Sequence, residues 1–172
     1  MDNKALFLDR DGVINFDYGY VHRKEDFIFR PEIFNICKSA LENDFKIIII
    51  TNQSGIGQKI FTEQDFKLLN EFMLSKFKDN NITITHIYFC PYHPTKGKGK
   101  YLKNSYLRKP KPGMFFEAEK DYSINLSQSI MIGDKSIDLD ASKSANIKYF
   151  VNANMDNWAQ YAIKIINNSK KN

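Results

Sequence analysis

The stretch KIIIIT at residues 46–51 constrains this chain most. Four consecutive isoleucines cannot alternate between a wet and a dry face. The segment therefore reads as a strand buried on both sides, as in the interior of a parallel sheet covered by helices. Four further short apolar runs accompany it, at residues 4–9 (KALFLD), 84–89 (ITHIYF), 129–134 (SIMIGD) and 147–151 (IKYFV).

Helical spacing fills the intervals. Residues 31–43 place Ile33, Ile36, Cys37, Ala40 and Leu41 on one face behind Pro31, a residue suited to a first helical position. Residues 62–79 open on Thr62-Glu63-Gln64-Asp65, close to a capping box, and then line up Phe66, Leu69, Phe72, Met73 and Phe77. Residues 112–122, 136–145 and 157–167 read as further helices. Strands alternating with helices predict an α/β chain, a Rossmann-like open parallel sheet with helices on both faces. At 172 residues the expectation is one domain spanning residues 1–172.

Ligands of such sheets bind beyond the carboxyl ends of the strands, and polar residues gather there. Asp9, Thr51 and Asp134 each close an apolar run. Asp9-Arg10-Asp11-Gly12 sets two carboxylates two residues apart at the end of a buried strand, which is costly unless a cation meets them. A hard divalent ion with oxygen ligands, such as Mg²⁺, suits them, and Asp134 adds another carboxylate. Thr51-Asn52-Gln53-Ser54-Gly55 offers hydroxyl, amide and backbone donors at a second strand end. Arg108 and Lys109 offer positive charge. Phosphoryl transfer needs such a set: a nucleophile, a metal, and donors around the phosphate. Cys37 falls on a core helix face.

The net charge of +5 is compatible with nucleic acid, anionic membrane or a phosphorylated substrate, and equally with lysine and asparagine spread over the surface. Two cysteines make no disulfide framework, which fits a reducing compartment. No apolar stretch approaches the roughly 18 residues of a membrane span, and the first residues lack the layout of a signal peptide. A cytoplasmic protein without membrane association is the expectation. Residues 90–111 carry no apolar periodicity, and a loop of that length is usually functional or disordered.

The segments FLDRDGVIN, TNQSGIG, RKPKPGM and MIGDKSIDLDA, together running from about Ala5 to Ala145, resemble the four motifs of the haloacid dehalogenase-like (HAD-like) phosphatases. More narrowly they are similar to the D-glycero-D-manno-heptose 1,7-bisphosphate phosphatases and their histidinol phosphatase relatives. DYGYVH at residues 17–22, a segment that family sets against the substrate, supports the narrower match. The resemblance implies a HAD-like fold without a large cap domain, with the loop at residues 90–111 on the substrate side. It implies Asp9 as nucleophile forming an aspartyl-phosphate, Asp11 as proton donor and acceptor, and Thr51 and Lys109 on the phosphoryl oxygens. Mg²⁺ would be held by Asp9, the Asp11 carbonyl and Asp134. Arg10, Asp17, Tyr18, Gly19, Tyr20, Asn52, Gln53, Ser54, Arg108 and Lys135 would face the substrate, and Asp138 would orient Lys109 or a metal-bound water.

That family often carries zinc in the loop after the third strand, on a Cys-x-His pair and a later Cys-x-Cys. In register those positions are Cys90, Tyr92, Ser105 and Leu107, with His93 alongside, too few good ligands for a tetrahedral site. No zinc is expected; the loop is then held by packing of Tyr88, Tyr92, Tyr101, Tyr106 and Leu107, or is mobile. Lys96, Lys98, Lys100 and Lys103 form either a basic rim for an anionic substrate or an exposed lysine loop. The implied activity is removal of the 7-phosphate from the heptose bisphosphate by a monomer. The alternatives are a histidinol-phosphate or other small phosphomonoester phosphatase, and a polynucleotide 3′-phosphatase.

Overall fold

The computed structural model describes residues 3–169. Five strands, β1 (Lys4–Leu8), β2 (Phe45–Asn52), β3 (His86–Cys90), β4 (Ile130–Gly133) and β5 (Tyr149–Asn152), form one parallel sheet in the order β3-β2-β1-β4-β5. Among the described residues six α-helices connect or flank them: α1 (Ile33–Glu42), α2 (Ser54–Gly57), α3 (Glu63–Asp79), α4 (Gly113–Tyr122), α5 (Ser136–Ser144) and α6 (Trp158–Asn168). The fold is the α/β class that the apolar runs imply.

Side-chain alternation along the strands separates two cores. Leu6, Leu8, Ile47, Ile49, Ile130 and Ile132 face the layer of α1, α3 and α6. Ala5, Phe7, Ile48, Ile50 and Met131 face α4 and α5. All four isoleucines of β2 are fully buried, and each contributes roughly 1.5–3 kcal/mol by leaving water. The run could not be shifted by one residue without penalty on either face, so β2 is firmly registered against β1 from Lys4↔Phe45 to Leu8↔Ile49.

Local chemistry sets the element ends. The Thr62 hydroxyl accepts from the Asp65 N–H at 3.0 Å, and the Asp65 carboxylate accepts from the Thr62 N–H at 2.8 Å, a complete capping box for α3. Helix α1 begins at Ile33, two residues after Pro31. The third strand starts at His86, leaving Ile84 and Thr85 outside it; as an edge strand it pairs only with β2. Strand order reverses at β1, so a crevice opens above the carboxyl ends of β1 and β4.

Candidate active site

Asp9 follows β1 directly, and the strand alternation turns it towards the α4 and α5 side. There it meets Lys109, which lies just before α4. The Lys109 ammonium is 1% exposed. It donates to Asp9 Oδ2 at 3.0 Å, Asp138 Oδ1 at 2.6 Å and the Ile50 carbonyl at 3.0 Å. Its backbone is clipped to the end of β2, because the Asn52 amide donates to the Lys109 carbonyl at 3.0 Å and accepts from its N–H at 3.1 Å. Burial alone would lower the ammonium; the facing Asp9 and Asp138 reverse that and hold it above its ordinary value. Burial pushes Asp9 up to about 7 against the pull of Lys109, and the Asp138 charge adds to the rise.

Asp9, Asp134 and Asp138 bring carboxylate oxygens within 4.8 Å of one another. Asp138 is already committed. Besides the ion pair to Lys109, its Oδ2 accepts from the N–H groups of Asp134 at 3.2 Å and Lys135 at 3.1 Å, where it caps α5. Asp134 is different: its Oδ1 is buried without a partner, and burial raises its titration. A buried carboxylate oxygen facing another carboxylate fits a hard divalent cation. Gly12 brings the backbone of the Asp-x-Asp turn against this point. It sits at φ +89°, and a Cβ there would overlap the Asp134 carboxylate. Arg30 secures the same turn by donating to the carbonyls of Gly12 at 2.9 Å and Ala153 at 3.1 Å.

Asp11 lies beside Asp9 at the floor of an open cleft of about 260 Å³. Its carboxylate accepts from Gln53 Nε2 at 3.0 Å and from Asn15 Nδ2 at 3.0 Å. Gln53 also donates to the Thr51 hydroxyl at 2.9 Å. Thr51, Asn52, Gln53, Ser54 and Gly55 lie along the cleft on the β2 side; Asp17, Gly19, Tyr20, Arg108, Lys135 and Ile137 complete its lining.

Two residues expected at the substrate are placed elsewhere. Arg10 is 1% exposed, and its guanidinium grips Asp11 from the core side, away from the cleft. The physical reason is alternation: adjacent residues at a strand end point to opposite faces, so Arg10 follows Leu6 and Leu8 while Asp9 follows Phe7. Tyr18 is 65% exposed and stands outside the cleft beside Phe16. Conversely, sequence reasoning did not single out Asn15, Gln58 or Ile137. Ile137 lines the cleft from the first turn of α5, and its nearness to Asp134 in sequence was the available signal. Gln58 donates to the Tyr20 hydroxyl at 3.1 Å.

At the cleft mouth Lys135 pairs with Asp17 at 2.8 Å and lies 3.8 Å from Asp134. Its burial would lower it, and these partners raise it instead. Arg108 donates to the Tyr92 carbonyl at 3.2 Å. Burial pulls its guanidinium below the ordinary value, and among the described residues no carboxylate stands close enough to offset this.

The long loop is ordered by its own side chains. The His93 ring nitrogen Nδ1 accepts from the N–H groups of Thr95 at 3.2 Å and Lys96 at 3.0 Å. Tyr101 packs beside Ile56, Phe61 and Phe66 and donates its hydroxyl to Glu63 at 2.6 Å. Tyr88, Tyr92 and Leu107 pack against the second core around buried Cys90. Tyr106 departs from the expected packing: it is exposed, stacked against Phe116 at 6.5 Å. Lys96, Lys98, Lys100 and Lys103 are exposed and do not line the cleft; Lys100 and Lys103 lie over the Tyr101 and Tyr92 rings at 4.9 and 5.3 Å. Arg108 is the loop cation that lines the cleft, beside Lys109 buried behind Asp9.

A doubly wound sheet whose first strand delivers Asp9 and Asp11 to a buried lysine and an unsatisfied carboxylate defines a phosphomonoester hydrolase of the HAD-like superfamily. Residues 8–164 match the family model described as polynucleotide kinase 3 phosphatase. A D-glycero-alpha-D-manno-heptose-1,7-bisphosphate 7-phosphatase from Burkholderia mallei is 43% identical over 147 residues, covering 86% of this chain and 78% of that protein. The beta-anomer enzyme of Helicobacter pylori is 45% identical, covering 85% and 81%. The structure of D,D-heptose 1,7-bisphosphate phosphatase from B. bronchiseptica, complexed with magnesium and phosphate, superposes with a TM-score of 0.76 at 26% identity, covering 85% and 78%. The chain belongs to the D-glycero-D-manno-heptose 1,7-bisphosphate phosphatase family of HAD-like hydrolases.

Proposed function

We propose that this phosphatase removes the 7-phosphate of D-glycero-D-manno-heptose 1,7-bisphosphate and releases heptose 1-phosphate. The observation that carries the reading is that one cleft holds Asp9, backed by the buried Lys109, and Asp11 together with two further cations, Arg108 and Lys135. A substrate with a second phosphate matches that layout, and the relatives named above act on such a compound.

The chemistry then runs in two halves. A carboxylate oxygen of Asp9 bonds to phosphorus while the ester P–O bond breaks, and the departing sugar oxygen takes a proton from Asp11. In the second half Asp11 takes a proton from water, the water oxygen bonds to phosphorus, and the Asp9–phosphorus bond breaks to free phosphate. The Thr51 hydroxyl and the Lys109 ammonium hold phosphoryl oxygens, Lys109 shifting part of its donation from Asp9 to them. Asp138 keeps Lys109 charged and aimed. Asp9, Asp134 and the Asp11 carbonyl would hold Mg²⁺, which when bound supplies positive charge to the carboxylates and the phosphoryl group. Asn52, Gln53, Ser54, Asp17, Gly19 and Tyr20 shape the sugar site. We further propose a zinc-free loop, because Tyr92 and Leu107 pack where metal ligands would stand, and a cytoplasmic monomer acting on a small sugar rather than on nucleic acid or at a membrane. Among the described residues no helix is long and apolar enough to cross a membrane.

A phosphate-release screen tests the substrate. Both anomers of the heptose bisphosphate, histidinol phosphate and a 3′-phosphorylated oligonucleotide are compared with and without Mg²⁺. A heptose anomer should lead in kcat/KM by at least about 10-fold, the scale of one lost charged contact. Preference for the oligonucleotide would overturn the reading.

A further inference from the structure

The carboxylate of Asp11 is held more completely than any other side chain in the cleft. Arg10 Nε donates to its Oδ1 at 3.2 Å, and Arg10 Nη2 lies 2.9 Å from both Oδ1 and Oδ2. Asn15 adds a donor on Oδ1 and Gln53 one on Oδ2, each at 3.0 Å. A carboxylate offers about four lone-pair directions, and these contacts occupy them. The guanidinium is itself fixed: Nη2 also donates to the Val21 carbonyl at 2.7 Å, and the Phe27 and Phe66 rings lie 6.0 and 5.7 Å from its centre. A planar fork gripping a carboxylate sets the plane of that carboxylate, which a lysine could not do.

The donors are not equivalent. Arg10 and Asn15 are buried and approach from the core, whereas Gln53 lines the cleft. For Asp11 to exchange a proton with a bound ester, one contact must yield, and only the Gln53 contact lies on the substrate side. We propose that Arg10 is a positioning residue that clamps Asp11 so that Oδ2 is presented to the leaving oxygen. The proposal rests on the reading of Asp11 as the proton carrier.

The test compares two esters in the first turnover. A sugar phosphate leaves as an alkoxide and needs the proton; p-nitrophenyl phosphate releases a stable phenolate and does not. Arg10→Met should slow the first turnover of the best sugar phosphate at least about 30-fold, within the range of general acid catalysis. The p-nitrophenolate burst and both KM values should stay within about 3-fold. Arg10→Lys, which retains the buried charge without the fork, should show the same selectivity and decides the matter alone if Arg10→Met does not fold. Asp11→Asn is the control. If it is selective between the esters and the Arg10 variants are not, the role of Arg10 is overturned. Equal losses on both esters, or no loss, overturn it likewise. If Asp11→Asn itself shows no selectivity, the reading of Asp11 as proton carrier fails, and the proposal with it.

Discussion

Asp9 is a carboxyl whose burial opposes its ionisation, and replacing it by asparagine should make the metal-free protein more stable. A carboxyl that titrates near 3.8 when solvated and near 7 when folded costs the folded state up to about 4 kcal/mol once ionised in both states. The sign follows from the direction. The folded value lies above the unfolded one, so the stability is fully present below pH 3.8 and is lost as the pH rises to about 7. Asp9→Asn keeps the shape and removes the charge, while Asp138 still pairs Lys109. In EDTA at pH 8 the variant should gain about 2–4 kcal/mol, which for a chain of this size raises Tm by roughly 5–15 °C. At pH 4.5 the gain should shrink to about 1 kcal/mol, because the wild-type group is then neutral in the folded state. Mg²⁺ should narrow the pH 8 gap, since a ligand at 100 times its Kd adds about 2.7 kcal/mol to the wild type. Thermal melts of both proteins across pH, with and without Mg²⁺, measure this. A variant that melts at or below the wild type at pH 8 in EDTA, or a difference independent of pH, would refute the reasoning. The same variant should have no turnover.

Lys109→Met should leave Asp9 and Asp138 facing each other without a cation, costing about 3–5 kcal/mol in chemical denaturation and abolishing phosphate release. Gly12→Ala forces a side chain into the left-handed region and against Asp134; a Mg²⁺ titration of Tm should show the metal-dependent shift lost, with a strain cost of about 1–2 kcal/mol. His93→Ala removes the acceptor of two backbone N–H groups, so limited proteolysis should cut near residues 93–103 faster while kcat/KM changes less than about 3-fold. Elemental analysis of the wild type should find no stoichiometric zinc; near one zinc per chain would contradict the packing account of the loop.

The parallel sheet was legible because β2 and its neighbours are hydrophobic on both faces, a pattern that few other arrangements satisfy. Asp9, Thr51 and Asp134 were legible for a related reason, since each closes an apolar run at its carboxyl end, and Asp11 stood out as the second carboxylate two residues beyond Asp9. The resemblance set Arg10 at the substrate along with its neighbours, whereas a step of one residue along the chain reverses direction and turns it to the core. The four-residue α2 left no periodicity to read. Packing of the loop by Tyr88, Tyr92, Tyr101 and Leu107 was one of the two alternatives the sequence left open, but the partners were not legible: His93 meets nearby backbone and Tyr101 reaches Ile56, Phe61 and Phe66, contacts that spacing does not encode. Asn15 lies four residues from Asp11, but its contact follows from a turn rather than a helix, so no regular offset announced it.

The strand order β3-β2-β1-β4-β5 also apportions motion. The strand that ends at Asp9 is hydrogen-bonded on both sides, by β2 and by β4, so its amides should exchange more slowly than those of the edge strands. Strands β3 and β5 each have one neighbour and can exchange their amide hydrogens through smaller openings. The long loop that delivers Arg108 follows β3, so breathing at the sheet margin reaches the wall of the cleft before it reaches its floor. The wall that carries Arg108 is therefore tied to a sheet margin, and the Asp9 floor to its centre.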